Sequence, residues 1–278
     1  MPDVSTQIPD ETTRAAILAL ANRIADEDGA PPLSDDALTH LASPDVRHAV
    51  AHEADRLVGY GQRRDDAAEV AAERGFADAL LDAVRKPGLL VWAHGRKSRL
   101  TPVLEQRGFT PTRELYQLRR SLDDLPPDPV LPDGVIVRSF QQGKDEQAWL
   151  EVNAAAFKSH AEQGRRTLAE LQALMTEPWF AAEDFLLADR AGELLGYHWT
   201  KVHSDVLGEV YVLGIAPAAQ GLGLGNALLV RGLRHLAERG CTDVLLYVDG
   251  DNATARRLYE RGGFHEHDLD VQWRLPGG

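Results

Sequence analysis

The stretch LGIAPAAQGLGLGNALLVRGL, residues 213–233, sets Gly221, Gly223 and Gly225 between a β-like run and a helix-like run. Backbone without side chains at a strand-to-helix junction has few uses. A dinucleotide fingerprint needs G-x-G-x-x-G/A. Counted from Gly221 its last position is Asn226, and from Gly223 it is Leu228, so the fingerprint fails. A P-loop needs Gly-Lys-Ser/Thr, which the stretch lacks. The pattern that fits is Q/R-x-x-G-x-G/A, filled by Gln220, Gly223 and Gly225. It opens a helix directly after a strand. The first N–H groups of a helix are unpaired and carry the positive end of its dipole, so they suit a pyrophosphate. Glycine lets phosphates approach the main chain closely.

Working outward, the surrounding elements read coarsely. VIVRSF (135–140) is a strand, and helices cover roughly 146–157 and 167–176. FLLADR and ELLGYHWTKVHS form a hairpin around Ala191 and Gly192. GEVYVLGI (208–215) is a strand ended by Pro217, and a helix follows to about Glu238, with Leu229, Leu233, Leu236 and Ala237 on one face. VLLYV is a short buried strand, Asp251 or Asn252 caps the next helix, and FHEHDLDVQWRL is the last strand after Gly262. Several strands precede the crossover helix, so the class is mixed α+β rather than a regular βαβ alternation.

The chain organises into two halves. Asp123 to Gly134 is rich in proline and acid and reads as an extended linker between residues 1–122 and 135–278. The halves resemble each other: residues 103–119 align with 258–274 without a gap, each restarting at Phe109 or Phe264 after a glycine. Net charge −13 argues against a nucleic-acid partner. With 44% hydrophobic and 26% charged residues the composition is that of a soluble globular protein, and no apolar run approaches the ~20 residues of a membrane span. The start lacks signal-peptide features, and the single Cys241 fits a reducing cytosol, so a cytoplasmic monomer is expected.

A carboxylate near such a loop can accept a proton and a phenol can donate one. Glu209 begins the strand leading into the glycine loop, and by period two it shares a face with Tyr211 and Leu213. It is a candidate base, and an exposed strand-end glutamate is the bland alternative. Tyr259 lies seven residues after Asn252 and shares its helix face, as a candidate acid or a core tyrosine. In GYHWTKVHS, Tyr197, Trp199 and Lys201 alternate with His198, Thr200 and Val202. His198 and His203 read as core and surface, without a metal pattern, and Glu162 sits in a polar turn between helices.

Q-x-x-G-x-G after EVYVLGIAP, followed by N-x₆-Y-x₄-F, resembles the acetyl-CoA loop of the GCN5-related N-acetyltransferases. FKSHAEQGR, GYHWTKVH, GEVYVLGIAP and LLYVDGDNATARRLYERGGF further resemble the tandem-domain mycothiol synthases of that family. The resemblance implies two tandem domains, each a mixed, mostly antiparallel sheet flanked by helices. It implies acetyl transfer from acetyl-CoA to the cysteinyl amine of a cysteinyl-glucosaminyl-inositol, with no metal. It places acetyl-CoA on Leu213, Gly214 and Ile215, and on Gln220, Gly221, Leu222, Gly223, Leu224, Gly225 and Asn226. Asn252, Ala253, Thr254, Ala255, Arg256 and Arg257 would lie on the far side. Glu209 would be the base and Tyr259 the acid. Asp35, Glu162, Lys201, Glu209 and Tyr247 would contact the acceptor. Alternatives are another N-acetyltransferase acting on a peptide, polyamine or aminoglycoside amine, and a non-catalytic acyl-CoA-binding module.

The N-terminal half is expected to do no acetyl transfer. Leu104 stands where the other half has Tyr259, although Glu69 aligns with Glu209. Between that glutamate's strand and the glycine loop lie four residues (71–74), against twelve (211–222). Ala77 and Ala72 replace the second loop glycine and Gln220.

Overall fold

A computed structural model describes residues 3–158 and 163–276, which form two compact units. The first contains β1 (Asp3–Ser5), α1 (Glu11–Asp28), α2 (Asp35–Thr39), β2 (Arg47–Glu53), β3 (Arg56–Arg64), β4 (Ala67–Ala72), α3 (Ala77–Ala83), β5 (Leu90–Ala93) and α4 (Thr101–Gln106), and ends partway along β6 (Thr110–Ser121). Asp10 caps α1 by accepting from Thr13 N at 2.8 Å, and Gly29, at φ 84°, ends it. Helical spacing puts Ile17, Leu20, Ala21 and Ile24 on one face, against Val50, Tyr60 and Ala71. On the sheet's other side Leu80, Leu81, Leu89, Leu104 and Trp273 form a second core.

The second unit contains the rest of β6, then β7 (Ile136–Ser139), α5 (Glu146–Ala156), α6 (Leu168–Leu174), β8 (Phe185–Arg190), β9 (Glu193–Val202), β10 (Leu207–Ile215), α7 (Leu224–Glu238), β11 (Asp243–Asp249) except its last residue, α8 (Ala253–Arg261) and the start of β12 (His265–Arg274). Thr167 and Glu170 form a reciprocal capping box on α6. Strands β7 to β10 are antiparallel neighbours, and β10 pairs in parallel with β11. The layout is the mixed α+β one expected from the sequence. One core packs Trp149, Phe185, Tyr197 and Trp199 on one side of this sheet, and the other packs Leu195, Leu224 and Leu228.

The compact units depart from the chain halves at their ends. Residues 268–276 belong with the first unit, where Val271–Arg274 pair antiparallel with Ala93–Leu90 of β5. Trp273 is buried in that unit's core. Conversely, Gln117 onward belongs to the second unit, where Leu122 N donates to Thr242 O at 2.8 Å. Each unit is therefore closed by the strand that the other half of the sequence would supply. The proline-rich linker is also fastened: Arg234 donates to Pro126 O at 2.5 Å, Arg231 meets Asp128 at 2.9 Å, and Leu131 packs on the second unit's core. No described helix is long and apolar enough to cross a membrane.

Candidate active site

The glycine loop is built as a strand-to-helix junction. Pro217–Ala219 make one 3-10 turn, Gln220 is extended, and Gly221 and Gly223 take φ of 80° and 79°. Those angles exclude an easy replacement by any residue with a Cβ. The helix α7 starts at Leu224, and no side chain caps it. Its first bond inside the helix is Ala227 N to Gly223 O at 3.1 Å. The amides of Leu224, Gly225 and Asn226 thus have no acceptor within the helix, as at any uncapped helix start. A Cβ at Gly225 would meet only ordinary contacts, 3.7 Å from Ile215 and 3.8 Å from Leu258. Gly225 is therefore not forced by packing, in keeping with the alanine the pattern allows there.

Strands β10 and β11 part company just before this loop. Their parallel pairing runs only from Leu207↔Asp243 to Glu209↔Leu245, although β10 continues to Ile215 and β11 to Asp249. On its other side β10 stays paired with β9, but the register shifts between Val210 and Val212. Tyr211 is the extra residue of a β-bulge. The bulge corrects the face expected from period two. Glu209 lies opposite Lys201 and Val212 opposite Trp199, on one face, whereas Leu213 lies opposite His198, on the other. Tyr211 stays on the Glu209 face, its ring 5.3 Å from Trp199 and 5.1 Å from Trp179. Leu213 packs instead with Leu195 and Leu228.

Glu209 is 8% exposed, so it is not the bland strand-end acid. His203 Nε2 lies 2.7 Å from its Oε2, and its Oε1 has no hydrogen-bond partner among the described residues. The Nζ of Lys201 sits 4.9 Å from the Trp179 ring centroid and 5.9 Å from that of Tyr211. His198 is buried as expected, with Nδ1 2.8 Å from Leu228 O, and burial depresses its pKa to about 4. His203 is exposed, as expected, and it also has a carboxylate partner in Glu209. Neither it nor Trp179 carries a motif. The one signal for His203 is its place across a tight hairpin from Glu209.

On α8, Asn252 Oδ1 accepts from Ala255 N at 3.1 Å, so Asn252 is the cap. Tyr259 is buried, and burial pushes its pKa up to about 12. Its ring meets Phe264 edge-on at 5.8 Å, and its hydroxyl has no hydrogen-bond partner among the described residues. Arg256 is held by Glu266 at 2.7 Å, while Asn252, Ala253, Thr254 and Arg257 are exposed. Tyr247 is 43% exposed and accepts from Gln117 Nε2 at 2.8 Å. Asp35 is an exposed residue of the first unit, following the Ser34 cap of α2. Glu162 lies outside the described residues. Among the described residues no group of three or more His, Cys, Asp or Glu could hold a metal ion.

Residues 147–264 match the model of the acetyltransferase (GNAT) family. The chain is 44% identical to a mycothiol acetyltransferase of Thermomonospora curvata, over 94% of this chain and 93% of that protein. It is 45% identical to one from Streptomyces avermitilis, over 93% and 90%. Among solved structures, a tandem GNAT protein from the clavulanic acid biosynthesis pathway superposes with a TM-score of 0.76 at 18% identity, covering 100% of this chain and 99% of that one. A GCN5-related N-acetyltransferase from Sphaerobacter thermophilus gives 0.74 at 23%, covering 99% and 97%. These two likenesses concern the fold.

Proposed function

Because the chain belongs to the mycothiol acetyltransferase family, we propose that it moves the acetyl group of acetyl-CoA onto the cysteinyl amine of cysteinyl-glucosaminyl-inositol, the last step of mycothiol formation. The observation that carries this reading is Glu209: a buried carboxylate with one oxygen held and the other without a hydrogen-bond partner among the described residues, on β10 where that strand leaves β11. The uncapped start of α7 is the natural place for a pyrophosphate, and Gln220 to Asn226 would hold it. The edge of β10 at Leu213, Gly214 and Ile215 has backbone groups released from β11 to bond the donor's amides. Asn252, Ala253, Thr254, Ala255, Arg256 and Arg257 would flank it from α8. Bound there, the donor supplies an acetyl thioester.

Glu209 accepts a proton from the acceptor ammonium: an N–H bond breaks, its electron pair stays on nitrogen, and an O–H bond forms on the carboxylate. Tyr259, with its pKa near 12, stays protonated through the working range and is a standing donor toward charge developing on sulfur. Lys201 and Tyr247 would meet the acceptor's hydroxyls and charge. The test is CoA release by the full chain with acetyl-CoA and the desacetyl thiol, run beside peptide, polyamine and aminoglycoside amines. Preferential release with the desacetyl thiol is expected. Preference for another amine would move the chain to a different acceptor, and donor binding without turnover would make it a binding module.

A further inference from the structure

We infer that His203 is the positioning residue of this site: it holds the Glu209 carboxylate by one oxygen and so presents the other to the acceptor amine. The inference rests on the reading of Glu209 as proton acceptor. The hairpin between β9 and β10 makes it possible. Val202 pairs with Gly208, and His203 N donates to Leu207 O at 2.9 Å, so the turn's backbone is fixed on both sides of the imidazole. Nε2 then reaches Oε2 of Glu209 at 2.7 Å. Facing a carboxylate, this nitrogen carries the proton and donates. Nδ1 has no partner among the described residues, and the side chain is 29% exposed, so the imidazole reaches from solvent to a carboxylate that does not.

The surroundings assign the control of this carboxylate to His203. On β9 the residue opposite Glu209 is Lys201, whose ammonium lies over Trp179 and Tyr211. On β11 the partner is the apolar Leu245. The turn itself adds Asp205 and Ser204, and Ser204 Oγ accepts from the amides of Val206 and Leu207. A carboxylate with a single fixed hydrogen bond has one rotational setting. Without it, both oxygens turn freely and the productive geometry is one of several.

The experiment uses the full chain with acetyl-CoA and the acceptor that passes the test above. A hydrogen bond to a charged group corresponds to roughly a ten- to hundredfold change in rate, so His203→Ala lowers kcat by that factor with the KM for acetyl-CoA unchanged. Losing the donor that favours the ionised carboxylate also moves the acidic limb of kcat/KM to higher pH. His203→Gln can place an amide N–H near the position of Nε2 and restores most of the rate and the limb. Glu209→Gln, run alongside, separates the two readings. If it is inactive while His203→Ala keeps the wild-type kcat and limb, the inference falls and Glu209 remains the acceptor. If Glu209→Gln keeps the wild-type profile, the reading of Glu209 falls. Should both His203 variants then be inactive, the imidazole itself takes the proton, and a positioning role is overturned.

Discussion

Glu69 and Glu209 occupy the same place in two units built on one plan. Each ends a three-residue parallel pairing, Ala67–Glu69 on Leu90–Trp92 and Leu207–Glu209 on Asp243–Leu245. Beyond that point they diverge. After Glu69 the strand runs to Ala72 in unbroken register with β3, whereas after Glu209 a bulge intervenes and the strand continues to Ile215. Glu69 accepts from Ser34 N at 2.6 Å and Ser34 Oγ at 2.7 Å, and faces His94 Nε2 at 3.3 Å, so both oxygens are taken. His94 in turn meets Asp270 at 3.1 Å. Burial alone would raise the Glu69 pKa, but the bonds from His94 and Ser34 outweigh it and hold the carboxyl below its ordinary range. The same residue type at the same site is a structural node in one unit and, in the other, has an oxygen with no hydrogen-bond partner among the described residues. A motif residue thus takes its role from what its neighbours leave unsatisfied.

The largest effect that sharpens this contrast is at the donor position. Tyr259→Phe is expected to lower kcat by about 10²–10⁴-fold with little change in acetyl-CoA affinity, because the hydroxyl acts on charge that appears only during reaction. Leu104, at the aligned place in the first unit, is fully buried in apolar core. Leu104→Met should cost below about 1.5 kcal/mol and leave kcat unchanged. Steady-state kinetics on both variants checks the pair.

Next comes the strand that closes the first unit. Trp273→Ala removes a buried indole and should destabilise that unit by about 3–5 kcal/mol. Denaturant titration of the full chain would show the earlier midpoint. Residues 1–122 made alone lack this strand, so that fragment is a poor reporter on what the first unit can do.

A smaller, pH-dependent effect belongs to His94. Burial alone would lower its pKa, but hydrogen bonds to Asp270 and Glu69 raise it to about 10. A pKa raised in the folded state stabilises fully below the unfolded value, about 6.5, and the contribution is lost as pH rises through the folded value. The stability advantage of wild type over His94→Gln should therefore shrink between pH 7 and 10. An advantage that grows over that range would contradict the charged assignment. The least change concerns binding. The cleft beside β4 is lined by Val70, Ala72, Trp92 and the Asp28–Arg99 ion pair, and α3 is a seven-residue helix. Calorimetric titration should find one acetyl-CoA per chain. A second site would weaken the contrast between the two units.

Much of the second unit was legible because its signals are local. The glycine pattern, Pro217 and the Asn252 cap each act within one turn, and the structure places them as read. The bulge at Tyr211 leaves no compositional mark, since one inserted residue looks like any other, and strict alternation therefore sent Leu213 to the wrong face. The closing strands were illegible for a different reason. Residues 103–119 and 258–274 align without a gap, so their pattern fixes a strand but not which unit it completes. His203 needed the hairpin register, and Trp179 needed the ring contacts around Lys201, neither of which spacing supplies.

The central claim is that proton transfer belongs to Glu209 and not to its counterpart Glu69. The most direct measurement is the pH–rate profile of CoA release by full-length Glu209→Gln and Glu69→Gln, with acetyl-CoA and the desacetyl thiol. Glu209→Gln should lose activity, or need a higher pH to show any. Glu69→Gln should unfold more easily, because a buried charge partner of His94 is gone, yet keep the wild-type profile while folded. A wild-type profile for Glu209→Gln, or loss of the chemical step in folded Glu69→Gln, would contradict the account.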